Sequence, residues 1–159
     1  MSTNILGLSE TKINELAVDL NKLLANYQVY YQNLRGLHWN IKSKNFFQLH
    51  EKFEELYNDS QLKIDEIAER ILTLGATPEH TFKDYLDKAI VPVGQNISQD
   101  DKAVRLIVDS LFELLKIERS ILEKAGEFND EGTNSMMSDF ITEQEKTVWM
   151  MKAWLNETI

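Results

Sequence analysis

The residues with chemistry to offer lie in one stretch, from His38 to Glu69. It reads His38-Trp39-Asn40, then His50-Glu51-Lys52-Phe53-Glu54-Glu55, then Asp65-Glu66-Ile67-Ala68-Glu69-Arg70. Two imidazoles and several carboxylates, with no sulfur among them, form a donor set suited to a hard or borderline divalent metal such as Fe²⁺ or Mn²⁺. The chain has no cysteine, so it carries neither a thiolate metal site nor a disulfide framework, which fits a reducing cytoplasm.

The element that must position these groups is a long amphipathic helix. Apolar residues recur at Phe46, Leu49, Phe53, Leu56, Ile64, Ile67, Ile71 and Leu74, and only the small Ser60 interrupts the three-and-four spacing. Asn45, with Gln48 three residues on, has the form of a capping box, and Gly75 followed by Pro78 supplies the stop. At ~100° per residue, His50, Glu54, Asp65 and Glu69 share an arc of ~100° and emerge along one stripe. They are nevertheless far apart. At a rise of ~1.5 Å per residue, His50 and Asp65 lie ~22 Å from each other, whereas ligands of one ion must start from Cα atoms within about 10 Å. One chain cannot close such a site. A copy of the helix crossing antiparallel near Tyr57 to Ser60 would set His50 opposite Asp65 and Glu69, and a two-fold axis would make two equivalent sites.

Length and composition set the remaining frame. At 159 residues the chain is read as a single domain spanning 1–159, large enough for a substantial core. A formal charge of −9 disfavours sequence-independent nucleic-acid binding by the folded body. The start lacks a signal-peptide pattern, and no apolar run approaches the ~20 residues of a membrane span, which predicts a soluble, cytoplasmic protein with no membrane partner. Strand-like alternation is absent from every long segment.

The periodicity predicts four long helices. The first begins after Ser9, buries Ile13, Leu16, Ala17, Leu20, Leu23, Leu24, Tyr27, Tyr30, Leu34 and Leu37, and ends near His38. A short connection folds it against the second helix and brings His38 towards His50. The linker from Gly75 to Gln99 is long enough for a crossover with a short helix over 82–87. A third long helix runs from about Asp101 to Ala125, capped by Ser98 or Asp100 and stopped at Gly126, with Val104, Ile107, Val108, Leu111, Leu115, Ile121 and Leu122 inward. After an acidic turn, the fourth carries Met137, Phe140, Ile141, Val148, Met151 and Leu155. Short, long, short connections describe an all-α, ferritin-like four-helix bundle with a crossover between its second and third long helices.

A plain reading stands beside each feature. A lone histidine such as His80 is an ordinary surface residue, and carboxylates on a helix face often form a salt-bridged surface. His38 and His50 differ, because they sit at adjacent helix ends and share a stripe with Asp65 and Glu69. No Glu-x-x-His occurs, so the in-bundle di-iron site of ferritin-like carboxylate proteins cannot be built. Trp39, Trp149 and Trp154 are read as core or interface residues, although Trp39 beside a ligand could carry an electron.

These residues resemble the Dps family, the DNA-binding proteins from starved cells, which are ferritin-like mini-ferritins. The resemblance runs from the first helix to Trp154 and is densest in His38-Trp39-Asn40, in Asn45-Phe46-Phe47-Gln48-Leu49-His50-Glu51 and in Asp65-Glu66-Ile67-Ala68-Glu69-Arg70. It implies a hollow homo-dodecamer with ferroxidase centres between two-fold-related subunits, where His38 and His50 of one chain face Asp65 and Glu69 of the other. Glu54 stands where the family often has an Asp, which implies a ligand or an acceptor through water. The implied metal is iron, Fe²⁺ oxidised to Fe³⁺ in a di-iron or mono-iron site that Zn²⁺ or Mn²⁺ can also fill. Hydrogen peroxide is the implied oxidant, ferric mineral the product, and protection of the cell and its DNA the outcome. Glu51, Glu55 and Asp59 are expected to face inward and nucleate mineral.

Two departures qualify the resemblance. Many members bind DNA through a Lys-rich tail, whereas here no Lys or Arg precedes Lys12 and the last residues are Asn156-Glu157-Thr158-Ile159, so DNA binding is doubtful, and nucleoid association is the alternative to a free cytoplasmic location. The acidic pore motif is partly kept, because Asp130 and Glu131 are present while Thr133-Asn134-Ser135 lacks the usual Asp. The competing classes are a DNA-compacting shell and a helical interaction module.

Overall fold

The computed structural model describes residues 3–159. Five helices follow in order: α1 (Glu10–Asn40), α2 (Phe46–Thr73), α3 (Phe82–Lys88), α4 (Asp100–Glu127) and α5 (Glu131–Trp154). The short connections make two antiparallel hairpins, α1 with α2 and α4 with α5, and α1 packs on α4 to close the bundle. The long crossover carries α3 across α1. No described helix is long and apolar enough to cross a membrane.

The expected apolar stripes are the core. Every inward residue predicted on the first helix is buried, and Phe53, Ile67 and Ile71 of α2 are fully enclosed. Burying a side chain of that size stabilises by about 1.5–3 kcal/mol. Ser60 is buried on the same stripe without penalty, because its hydroxyl donates to the Leu56 carbonyl at 2.8 Å. On α4 Val104, Ile107, Leu111 and Ile121 are buried as expected, Val108, Leu115 and Leu122 are half-buried, and Leu106, Leu114 and Ile117 join the core in addition.

Three helices end alike. Gly75 at φ 87° follows α2, Asn129 at φ 59° follows α4 and Asn156 at φ 59° follows α5. In each case a 6→1 bond closes a Schellman turn: Ala76 N–H to Ile71, Asp130 N–H to Ala125 and Glu157 N–H to Lys152. The stop after α4 is thus Asn129, and the expected stop at Gly126 lies inside the helix. The starts also depart from expectation. Asn45 makes no side-chain cap bond; its Nδ2 donates to Asp100 Oδ2 at 3.2 Å and its backbone N–H donates to Ser43 Oγ at 2.8 Å instead of to Gln48, so the capping box does not form. At α4 the cap position is Gln99 instead of Ser98 or Asp100, and no side chain caps it.

The crossover is fastened to α1 by three asparagines. Asn21 donates to the Thr77 carbonyl and accepts from Glu79 N–H. Asn26 accepts from Ile90 and Val91 N–H, at 2.8 and 2.9 Å. Asn33 donates to the Pro92 carbonyl and accepts from Gly94 N–H. Asn26 and Asn33 are buried, and these bonds give their amides partners inside the fold.

Candidate metal centre

α1 runs two residues past its expected end, so His38 stands in its last turn, opposite the second turn of α2. The hairpin stacks the His38 and His50 rings at 3.7 Å between centroids, with 14° between their planes. Phe46 stacks on the outer face of His50 at 4.9 Å, and Tyr57 meets His38 edge-on at 5.3 Å. Each imidazole then bonds the other residue's main chain. His38 Nδ1 lies 2.7 Å from the His50 carbonyl, and His50 Nδ1 lies 2.8 Å from the His38 carbonyl. A carbonyl oxygen only accepts, so both Nδ1 atoms carry the hydrogen and donate. In the neutral rings both Nε2 atoms therefore present lone pairs, the tautomer a metal ligand requires. The His38 carbonyl belongs to the last turn of α1, where helix geometry leaves oxygens unpaired, so the bond from His50 also completes that end.

The acidic candidates are placed differently. Glu54, Asp65 and Glu69 are all exposed on α2. Glu69 borders a shallow depression of about 380 Å³ between α2 and α5, shared with Glu66 and Asp139. Among the described residues of one chain, no three His, Cys, Asp or Glu side chains gather into a group able to hold a metal. The structure thus brings together His38 and His50 and leaves Glu54, Asp65 and Glu69 pointing into solvent.

Several other expectations are revised by their surroundings. Asp130 is not free to line a pore: it is 3 % exposed, caps α5 by accepting from Thr133 N–H and forms an ion pair with Arg70. Glu131 remains exposed. Of the three expected nucleation residues all are exposed on α2, with Asp59 paired to Lys63 and Glu55 to Lys52. Trp39 is no core residue: it is exposed and carries the Arg35 guanidinium over its ring at 4.9 Å.

Sequence reasoning passed over a buried polar group inside the bundle. Glu118 of α4 is 0 % exposed; its Oε1 accepts from Tyr27 Oη at 2.7 Å and from Gln144 Nε2 at 2.6 Å. Burial pushes the Glu118 carboxyl up to about 7, against the opposing pull of the Gln144 and Tyr27 bonds and of nearby Lys63 and Arg119. Tyr27 and Tyr30 are likewise held well above the ordinary phenol range, mainly by burial. The signal was present in the sequence: Glu118 sits four residues after Leu114 and three before Ile121, and Gln144 four after Phe140, each on an apolar stripe.

Two helical hairpins joined by a crossover, with a donor pair at one hairpin's closed end, define a ferritin-like bundle. The family model for the ferritin-like domain matches residues 18–159. A crystal structure of a Dps protein from Vibrio cholerae O1, described as a member of a broad superfamily of ferritin-like diiron-carboxylate proteins, superposes with a TM-score of 0.95 at 55 % identity, covering 98 % of each chain. A DNA protection during starvation protein of Porphyromonas gingivalis is 44 % identical over 94 % of each chain, and an uncharacterized protein of Haemophilus influenzae is 48 % identical over 96 % of each. The chain belongs to the Dps family of ferritin-like proteins.

Proposed function

We propose that this chain is a ferroxidase subunit of an iron-storing shell, a homo-dodecamer, and that its oxidation centre is built by two chains. The observation that carries this reading is the histidine pair. Reciprocal Nδ1–H bonds hold two Nε2 lone pairs at the end of one hairpin, and Asp65 and Glu69 are too far along α2 to join them in one chain. Across a two-fold axis, Asp65 and Glu69 of a second subunit would supply the oxygen donors, with Glu54 as a further ligand or as an acceptor for a bound water. Imidazole and carboxylate favour iron, admit Zn²⁺ or Mn²⁺, and stabilise the ferric product. The apolar side chains left in solvent, among them Phe47, Phe82, Leu86 and Trp149, support an assembled state.

Fe²⁺ is the substrate. With hydrogen peroxide as oxidant, two Fe²⁺ give one electron each, the O–O bond breaks, and water supplies the remaining oxygen: 2 Fe²⁺ + H₂O₂ + 2 H₂O → 2 FeO(OH) + 4 H⁺. This removes both reagents of hydroxyl-radical chemistry at once, and it protects DNA without touching it. The net charge of −9 supports that indirect route over coating of duplex DNA.

Complementation tests the shared centre. A chain with His38→Ala and His50→Ala, and a second with Asp65→Ala and Glu69→Ala, each lose rapid peroxide-driven Fe²⁺ oxidation. Co-assembled, a mixed pair regains one complete site, so activity returns in part once subunits exchange. Zero recovery in shells verified to be mixed overturns the reading.

A further inference from the structure

The four rings at the closed end of the first hairpin form one column. Phe46, His50, His38 and Tyr57 follow each other with centroid spacings of 4.9, 3.7 and 5.3 Å. Phe46 lies within 20° of parallel to His50, and His50 within 14° of parallel to His38, whereas Tyr57 meets His38 at 88°. The two ends of the column differ. Tyr57 is braced in turn by Tyr31 of α1, edge-on at 6.1 Å. The other end rests on Phe46, whose aromatic neighbour Phe47 is exposed. The imidazole at that end is also the less enclosed of the pair, because His38 is buried and His50 only half-buried.

A single hydrogen bond fixes one direction of an imidazole and leaves its plane free. The bond from His50 Nδ1–H to the His38 carbonyl anchors one ring nitrogen, and the ring can still turn about that N···O line. Flat contacts on its two faces remove this freedom, His38 on one and Phe46 on the other. The helix itself sets up the second contact. Phe46 is the first residue of α2 and His50 lies four residues on, so the two side chains are neighbours on one helix face. Ring-on-ring stacking has an orientation preference that an aliphatic side chain of similar bulk lacks.

We propose that Phe46 is a positioning residue: the flat face of its ring locks the His50 imidazole, and through His50 that of His38, in the plane and tautomer that present both Nε2 lone pairs. This rests on the reading of the two histidines as ligands of the shared centre. Phe46 carries no donor atom and acts only on the orientation of those that do, as the partners behind a metal ligand generally do. With its ring removed, His50 turns off the His38 carbonyl, its hydrogen distributes over both ring nitrogens, and fewer chains present two free lone pairs at once.

The first readout needs no metal. The chain has three histidines, so labelling histidine with the heavy nitrogen isotope gives a simple solid-state NMR spectrum of the full assembled chain, with exposed His80 as internal reference. At about pH 8, where imidazole is neutral, the unsubstituted chain shows His38 and His50 each as the single Nδ1–H tautomer. Phe46→Leu adds the Nε2–H form, chiefly at His50, and Phe46→Tyr keeps the single tautomer. The second readout is Zn²⁺ affinity, by calorimetry, at the site that His38→Ala with His50→Ala removes. It falls at least about tenfold in Phe46→Leu and is kept in Phe46→Tyr. A merely structural role lowers the thermal midpoint and moves neither readout. Leu keeps the bulk of the side chain, and Phe46→Met replaces Phe46→Leu if the latter does not fold. The proposal is overturned by a folded Phe46→Leu chain with unmixed tautomers or unchanged Zn²⁺ affinity, or by a loss that Phe46→Tyr shares. Zn²⁺ binding indifferent to His38→Ala with His50→Ala overturns the ligand reading and this proposal together, whereas binding that requires the histidines but ignores Phe46→Leu overturns this proposal alone.

Discussion

Replacing Glu118 by Gln separates the charge of a buried carboxyl from its shape. The amide keeps an oxygen where Tyr27 and Gln144 donate, at 2.7 and 2.6 Å, so the hydrogen bonds survive while the titration is abolished. Burial raises the Glu118 carboxyl from an ordinary 4.5 to about 7 in the folded chain. Between those values the folded chain holds a proton that the unfolded chain has released. Its contribution is therefore fully present below pH 4.5 and is lost as pH rises to about 7. At about 1.36 kcal/mol per pH unit, that interval amounts to about 3 kcal/mol per chain. Denaturant unfolding of the wild type and of Glu118→Gln, at one fixed protein concentration so that any association affects both alike, measures it. The difference between the two proteins moves by about 3 kcal/mol in favour of the variant from pH 4.5 to above pH 7, and most other titrations cancel. A difference that stays constant across this window refutes the argument that burial governs this carboxyl.

Three other outcomes are expected. Asn26→Ala strips the acceptor from Ile90 and Val91 N–H, and because Val91 is buried the loss is about 2 kcal/mol, read by denaturation, with faster amide exchange at both residues. Arg70→Met leaves Asp130, 3 % exposed, without its cationic partner and destabilises by about 3 kcal/mol in the same assay. A gel shift of duplex DNA is absent at physiological salt without divalent metal, as a charge of −9 dictates; a salt-sensitive shift under those conditions would contradict it.

What the sequence could disclose depended on the range of each interaction. The core face of α2 was legible from spacing alone, Ser60 included, because a long helix repeats its demand every turn. Leu114, more deeply buried than the expected Leu115, was missed where α4 offers the two together, and a step of ~100° decides which of them faces the core more fully. The failed capping box was not legible, because the Ser43 hydroxyl takes the Asn45 N–H that Gln48 would have accepted, while the Asn45 side chain turns to Asp100, 55 positions away in the chain. For the candidate centre, the proximity of His38 and His50 followed from a short connection. The exchanged Nδ1 bonds did not, since they depend on the two helix ends meeting within hydrogen-bond reach. Glu118 was visible as a polar residue on an apolar stripe, but its partner Gln144 lies on a different helix with no local mark of pairing.

The asparagines along α1 do more than fasten the crossover. Asn21 accepts from the N–H of Glu79 and donates to the carbonyl of Thr77, and Asn33 does the same to Gly94 and Pro92. Each amide thus engages a carbonyl and the N–H two residues later, the pair that a neighbouring β-strand would take. An extended segment on a protein surface otherwise presents those groups as an open edge, a template for strand addition by another chain. Here a helix closes that edge with side-chain amides, so the segments flanking α3 are satisfied without a sheet, and the surface has two fewer places where another chain could add a strand.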